Sequence, residues 1–294
     1  MRVGFVGLGT MGAPMALNLK KRGGFDVTVW NRSREKSAAL EPSGIEVAQD
    51  PRALASQVDV YCSCLTDPAA LEEIALGADG LLQGARPGQL FIDFSTVSVP
   101  LVKRLAQTFA AHGVDFADAP VTGSKAGAEQ GTLVVMTGCA ATTLARATPI
   151  FQAISEKVIH CGPVGSGTQV KLAANALIAT MLEAFSEGLL LTTRAGVDPR
   201  KLLEVVQASG FRSPYFDFKG QAILSRDFSP HFTVDLMHKD LTLFLENAAA
   251  NRVPTPTAAS VRETYNLARA AGKGSQDIAA VITALEAIVG QQIG

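Results

Sequence analysis

Three glycines with fixed spacing, in Gly7-Leu8-Gly9-Thr10-Met11-Gly12, stand directly after a short apolar run and directly before a helical stretch. The spacing has a steric basis. The first glycine allows a tight turn, the second lets a pyrophosphate approach the backbone, and the third lets helix and strand pack closely. The same motif can be a merely structural turn, but its strand–helix setting points to a dinucleotide. About 20 residues further on, where an NAD site places an acid for the ribose hydroxyls, the chain reads Trp30-Asn31-Arg32-Ser33-Arg34. No carboxylate is present, and Arg32 offers a planar fork for a 2′-phosphate. Asn31 and Ser33 can add neutral hydrogen bonds. These residues select NADPH over NADH; the alternative is that Asn31-Arg32-Ser33 only caps the next helix in solvent.

A second group lies in mid-chain. The turn Gly162-Pro163-Val164-Gly165-Ser166-Gly167 leads to Lys171 and Asn175, four apart and so on one helical face. The run Asp118-Ala119-Pro120-Val121-Thr122-Gly123-Ser124-Lys125 ends a strand candidate, where ligands of open α/β sheets gather. Reduction of an aldehyde leaves negative charge growing on oxygen, which must be stabilised and protonated. An ammonium does both, and partial burial lowers a lysine's pKa toward neutrality. Lys171, between apolar Val170 and Leu172, suits that work; the alternative is a helix lysine paired at the surface. A substrate carboxylate would need an anchor. The candidates are the backbone N–H groups and hydroxyls of Thr122, Gly123 and Ser124, with Lys125 adding charge if it turns inward. The four histidines show no metal-ligand spacing, and Cys62-Ser63-Cys64 is too tight for a usual zinc or C-x-x-C motif, so no metal is expected.

The elements that must position these groups change character along the chain. Short apolar strand candidates (Arg2 to Val6, Asp26 to Trp30, Val58 to Ser63, Leu90 to Phe94, Val114 to Asp118, Leu133 to Thr137 and Val158 to Cys161) come first, with helical stretches between several of them. That alternation predicts an α/β fold, a doubly wound parallel sheet covered on both faces. After the glycine-rich turn the strands stop. Thr168 to Arg194 reads as one long helix, apolar around much of its circumference and so expected to be buried on most sides. Helical segments follow at Arg200 to Ser209, Tyr215 to Leu224, Val234 to Asn251, Thr257 to Ala271 and Asp277 to Val289. The expected division is residues 1–164, a Rossmann-type nucleotide-binding domain, and residues 165–294, an all-helical domain for substrate and oligomerisation.

Composition removes other classes. The 294 residues are 47% hydrophobic and 18% charged, with a net charge of −1, and neither part departs from neutrality by more than one charge. That excludes disorder and offers no Lys/Arg excess for a nucleic-acid backbone. The longest membrane-like stretch, Leu172 to Leu182, has eleven uncharged residues and is short of the ~18–20 apolar residues of a membrane span. With no leader segment and four scattered cysteines, a cytoplasmic protein is expected.

Five ordered motifs then resemble the β-hydroxyacid dehydrogenase family over nearly the whole chain: Gly4 to Gly12, Asp93-Phe94-Ser95-Thr96, Asp118 to Lys125, Gly165-Ser166-Gly167 leading to Lys171 and Asn175, and Lys239-Asp240-Leu241. The family includes 3-hydroxyisobutyrate dehydrogenase, tartronate semialdehyde reductase and glyoxylate/succinic semialdehyde reductase. The resemblance implies a Rossmann-type domain followed by a helical one, with Lys171 as the catalytic lysine and Asn175 beside it in the substrate pocket. Thr122 and Gly123 would meet the substrate carboxylate, with Ser124 beside them. Thr96 would lie near the nicotinamide, and Lys239 and Asp240 would border the cofactor and active site. Leu65 joins the cofactor contacts, and Phe232 is the first choice for a substrate-facing ring. The family commonly has Ser-Gly-Gly after Pro-Val; Gly123-Ser124-Lys125 and Val29-Trp30-Asn31-Arg32 are instead similar to the glyoxylate/succinic semialdehyde reductase subgroup, while Thr122 adds a methyl beside its hydroxyl. The implied activity is NADPH-dependent reduction of glyoxylate, succinic semialdehyde or a similar small oxo acid by a homodimer or homotetramer. Alternatives are 3-hydroxyisobutyrate or tartronate semialdehyde turnover, and, in another class, a non-catalytic NADPH-binding module.

Overall fold

The computed structural model describes residues 1–293. The chain divides into two units, Met1–Lys171 and Leu172–Gly294.

The first unit opens with β1 (Arg2–Val6), α1 (Gly12–Lys21), β2 (Asp26–Trp30), α2 (Arg34–Ala38), β3 (Glu46–Val47), α3 (Pro51–Gln57) and β4 (Val60–Ser63). It continues with α4 (Pro68–Leu76), β5 (Leu90–Asp93), α5 (Val99–Ala110) and β6 (Asp115–Asp118). These six strands are parallel in the order β3-β2-β1-β4-β5-β6, the arrangement of dinucleotide-binding sheets. Every residue of β4 and β5 is buried, because helices cover both faces of the sheet. Asp50 and Asp67 accept the Ala53 and Ala70 N–H groups and cap α3 and α4, each of which begins with proline.

The parallel sheet expected from the sequence is then extended by strands that are not all parallel. After β7 (Val121–Thr122) and α6 (Ser124–Gln130), β8 (Leu133–Gly138) runs antiparallel to β6 and β7; α7 (Ala141–Ile154) and β9 (Ser155–Gly162) follow, with β9 parallel to β8. A parallel return needs a crossover of a dozen or more residues, usually a full helix. The β7–α6–β8 link is too short for that, so the strand reverses.

Helix α8 (Ser166–Arg194) begins in the first unit and runs on into the second. The second unit adds α9 (Arg200–Ala208), α10 (Pro214–Ser225), α11 (Val234–Ala250), α12 (Pro256–Ala270), a 3₁₀ turn (Ile278–Val281) and α13 (Ile282–Val289). Leu182, Phe185 and Leu189 of α8 pack in one core with Leu203, Met237, Leu241, Tyr265 and Ile282. By length and composition α8 could cross a membrane, a test that the core helix of a globular protein also passes. Most residues of α8 are buried or half-buried, but one stripe is not: Val170, Leu177, Ala184 and Leu191 recur every seven residues on an exposed face, with Leu177 60% and Leu191 72% accessible.

Candidate active site

The glycine turn is closed by backbone contacts that leave no room for a side chain at its first and third glycines. Gly7 has φ +92°, and its N–H donates to the Trp30 carbonyl at 3.1 Å. A Cβ on Gly12 would lie 1.9 Å from the Gly7 oxygen, whereas one on Gly9 would meet nothing within 4 Å. The turn is therefore packed tightly below and open above at its second glycine, the cradle a pyrophosphate requires. Asn31 braces it: its Oδ1 accepts the Leu8 N–H at 2.9 Å and its Nδ2 donates to the Ser33 carbonyl at 3.0 Å. Asn31 thus orients the turn in addition to any contact with a ligand. Thr10, Arg32 and Ser33 are exposed and Met11 is half-buried. Among the described residues, none forms an ion pair or hydrogen bond with the Arg32 guanidinium.

Next to this turn lies a buried network built on the Asp93-Phe94-Ser95-Thr96 motif, in which the sequence suggests a role for Thr96 alone. Asp93, at the end of β5, stands opposite Ser63 in the β4–β5 register. Its Oδ1 accepts the Ser63 hydroxyl at 2.6 Å, the Ser95 hydroxyl at 2.6 Å and the Ser95 N–H at 3.1 Å. Ser95 Oγ in turn accepts the Leu65 N–H at 2.9 Å. The loops carrying Leu65 and Thr96 are tied together through one carboxyl. Burial raises the Asp93 pKa to about 6 against the opposing pull of its hydroxyl and N–H donors. The signal was available in Asp93-x-Ser95 after a strand, a spacing that favours a side chain bonding backbone two residues on.

Thr122, Gly123 and Ser124 lie together, exposed, at the junction of β7 and α6. Gly123 has φ +132° and Ser124 φ +59°. A serine at positive φ is uncommon and costs on the order of 1 kcal/mol or more, a strain found often where loops present functional groups. Lys125 lies in the first turn of α6; it is 53% exposed and its Nζ lies 3.6 Å from Glu129 Oε1. The helix is docked on α1: buried Asn18 donates to the Ala128 carbonyl at 2.7 Å, and Arg22 donates to the Gln130 carbonyl. The glycine turn and the Thr122–Ser124 junction thus flank a pair of bonded helices.

Lys171 is 9% exposed on the second turn of α8. Asn175, one turn further on, is buried in the second unit, where its Nδ2 donates to Asp240 Oδ2 at 2.6 Å. The other Asp240 oxygen lies 2.9 Å from Lys239 Nζ. Asn175, Asp240 and Lys239 therefore form one bonded group, with the last two in the second turn of α11. Phe232 lies half-buried in the segment before α11, its N–H donating to Asp277 Oδ2 at 3.2 Å. Asp277 also pairs with buried Lys219 at 2.6 Å, a feature the sequence reading missed. Among the described residues, no three His, Cys, Asp or Glu side chains gather as metal ligands.

Comparison with known proteins gives two family matches: the NAD binding domain of 6-phosphogluconate dehydrogenase over residues 2–162, and the NAD-binding region of NADP-dependent 3-hydroxyisobutyrate dehydrogenase over residues 165–285. The chain is 34% identical over 285 residues to the chloroplastic glyoxylate/succinic semialdehyde reductase 2 of Arabidopsis thaliana, covering 97% of this chain and 79% of that protein. It is 32% identical over 294 residues to 2-(hydroxymethyl)glutarate dehydrogenase of Eubacterium barkeri, covering 100% and 97%. The solved structure of Mycobacterium tuberculosis 3-hydroxyisobutyrate dehydrogenase with L-serine superposes with a TM-score of 0.89 at 29% identity, covering 97% and 98% of the two chains.

Proposed function

The chain belongs to the β-hydroxyacid dehydrogenase family and is an NAD(P)-dependent dehydrogenase acting on hydroxyl groups of hydroxyacids; from that premise we propose that it uses NADPH to reduce small carboxylate-bearing aldehydes or 2-oxo acids, glyoxylate and succinic semialdehyde first among them. The observation that carries the reading is the buried Lys171, one helical turn before Asn175 on α8. The relative named for glyoxylate and succinic semialdehyde supports the substrate class.

The residues divide the work as follows. Gly7 to Gly12 hold the pyrophosphate through backbone N–H groups at the start of α1. Arg32 receives the 2′-phosphate, with Ser33 beside it. Leu65 and Thr96, set by the Asp93 network, border the nicotinamide. When bound, the reduced nicotinamide supplies a hydride. Lys171 Nζ stabilises charge on the carbonyl oxygen and delivers the proton that completes the alcohol. Asn175, oriented by Asp240, lines the pocket; Lys239 holds Asp240 from its other side and borders the cofactor. Thr122, Gly123 and Ser124 anchor the substrate carboxylate, and Phe232 closes on the remainder of the substrate. The exposed seven-residue repeat on α8 supports a homodimer or homotetramer, in which a second copy covers that face.

The test compares kcat/KM for glyoxylate, succinic semialdehyde and butyraldehyde, each with NADPH, and for 3-hydroxyisobutyrate with NADP+ as the hydride acceptor. A charge-assisted bond to the carboxylate contributes ~1.5–3 kcal/mol, so succinic semialdehyde should exceed butyraldehyde by at least about tenfold. Equal rates would remove the anchor. Turnover of 3-hydroxyisobutyrate alone would move the substrate assignment within the family, and NADPH binding without turnover of any of the four would favour a non-catalytic module.

A further inference from the structure

Asp118 closes β6 with no accessible surface. Its Oδ1 accepts the Gly165 N–H at 2.7 Å; its Oδ2 accepts the Thr168 N–H at 2.7 Å and the Thr168 hydroxyl at 3.0 Å. Gly165 and Thr168 belong to the opening of α8, where the first N–H groups have no acceptor within the helix and the helix end favours a negative charge. A strand carboxylate 47 residues away in sequence from Gly165 thus caps the helix that carries Lys171.

The junction is closed on its other sides. Gly138 is the register partner of Asp118 in β8, and a Cβ there would lie 2.6 Å from Asp118 Oδ1. A Cβ on Gly167 would lie 2.3 Å from the Met136 carbonyl oxygen and 3.0 Å from Asp118 Oδ2. The first turn of α8 is therefore held by three hydrogen bonds to one carboxyl and by backbone contact with β8, so it has little room to slide or rotate. Lys171 is three residues beyond Thr168, one turn on and on the same flank. Any rotation of the opening turn moves its ammonium, and misplacement of a reacting group by 1 Å can cost ~10²-fold in rate.

We propose that Asp118 is a positioning residue for Lys171, fixing the height and rotation of α8 through Gly165 and Thr168. The inference rests on the reading of Lys171 as proton donor and adds to it the device that aims the donor. Asp118 contacts neither substrate nor cofactor in this role.

The experiment measures kcat and KM, with NADPH affinity by fluorescence, for the wild type, Lys171→Ala, Asp118→Asn, the corresponding double variant, Thr168→Val and Thr168→Ser. Asp118→Asn turns one acceptor into a donor facing other donors and so breaks an arm of the cap. We expect Lys171→Ala to lose at least ~10²-fold in kcat. Asp118→Asn should lose at least about tenfold, with NADPH affinity within about twofold, and should cost less than about threefold once Lys171 is already alanine. Thr168→Val should lower kcat a few-fold, with Thr168→Ser restoring it. An Asp118→Asn loss of the same size in both backgrounds would show an effect independent of Lys171 and overturn the proposal. If Asp118→Asn does not fold, an unchanged kcat in Thr168→Val overturns it equally. Full activity of Lys171→Ala would defeat the proton-donor reading, and this inference with it, an outcome recognisable from that single variant alone.

Discussion

The two units bury carboxylates in different ways. In the first, Asp93 and Asp118 sit at strand ends and are held by hydroxyls and backbone N–H groups of neighbouring loops. In the second, Asp240 pairs with Lys239, Asp277 with Lys219 and Glu286 with Arg226. The cause is architectural. The end of a parallel sheet gathers loop N–H groups with no ladder partner, whereas a helical bundle consumes most of its N–H groups internally. A carboxylate inside helices must bring in a cation; one at a sheet end can be satisfied by neutral donors. Arg32, exposed after β2, makes no ion pair with a described residue.

Lys219→Met tests the cationic half of the comparison and should have the largest effect. Asp277 accepts N–H groups from His231, Phe232 and Ala279 as well as the Lys219 ammonium. Removing the ammonium leaves a buried charge without its counter-ion, at a cost of about 3–5 kcal/mol, read from the urea midpoint at constant m. A loss below ~1 kcal/mol would mean that the three N–H groups suffice and that the units do not differ in kind.

The same distinction governs what could be read from the sequence. The β1–turn–α1 segment was legible because its glycines answer to local sterics: the Gly12–Gly7 approach admits no side chain. Most strands and helices followed from apolar patterning. Helix α6 did not, since Ser-Lys-Ala-Gly-Ala-Glu-Gln carries no apolar period and is held from outside by Asn18 and Arg22. The reversal of β8 and the exposed face of α8 were also missed, because both depend on what packs alongside. In the candidate site, spacing singled out Lys171, Asn175 and the glycines, and motif resemblance singled out the runs that begin at Asp93 and Asp118. What Asp93, Asp118 and the Lys219–Asp277 pair bond to was not legible, as these partners lie 30 to 58 residues away for most of the bonds.

Glu183 is the exception that sharpens the contrast. It is buried in α8 within the second unit, yet its neighbour is the Thr264 hydroxyl, with Glu187 adding repulsion. Burial raises its pKa from 4.5 to about 7, so the folded state binds a proton more tightly than the unfolded chain. The resulting stability is full below pH 4.5 and is lost as pH rises through about 7. Glu183→Gln should remove that slope and raise stability at pH 8 by on the order of 3 kcal/mol, with little change at pH 4.5. Denaturant titrations of both proteins across this range check it; parallel pH profiles would show that Glu183 does not titrate as its burial requires.

Arg32→Ala probes the cation that burial does not consume. Ser33 stands at the N-cap position of α2 but makes no side-chain capping bond, and Arg32 forms no bond to another described residue. Its removal should therefore leave stability within about 0.5 kcal/mol, as for surface changes that break no contact. Its effect should fall on the cofactor instead. The guanidinium fork fits a 2′-phosphate and has nothing comparable to hold on NADH. The wild-type protein should prefer NADPH by at least about tenfold, ~1.4 kcal/mol, and Arg32→Ala should erase most of that preference by weakening NADPH while leaving NADH nearly unchanged. Fluorescence titration of both cofactors against both proteins separates the outcomes. Equal affinities in the wild type would remove the phosphate role, and a loss of stability without a change in cofactor ratio would make Arg32 a brace for α2, placing it with the structural cations of the second unit.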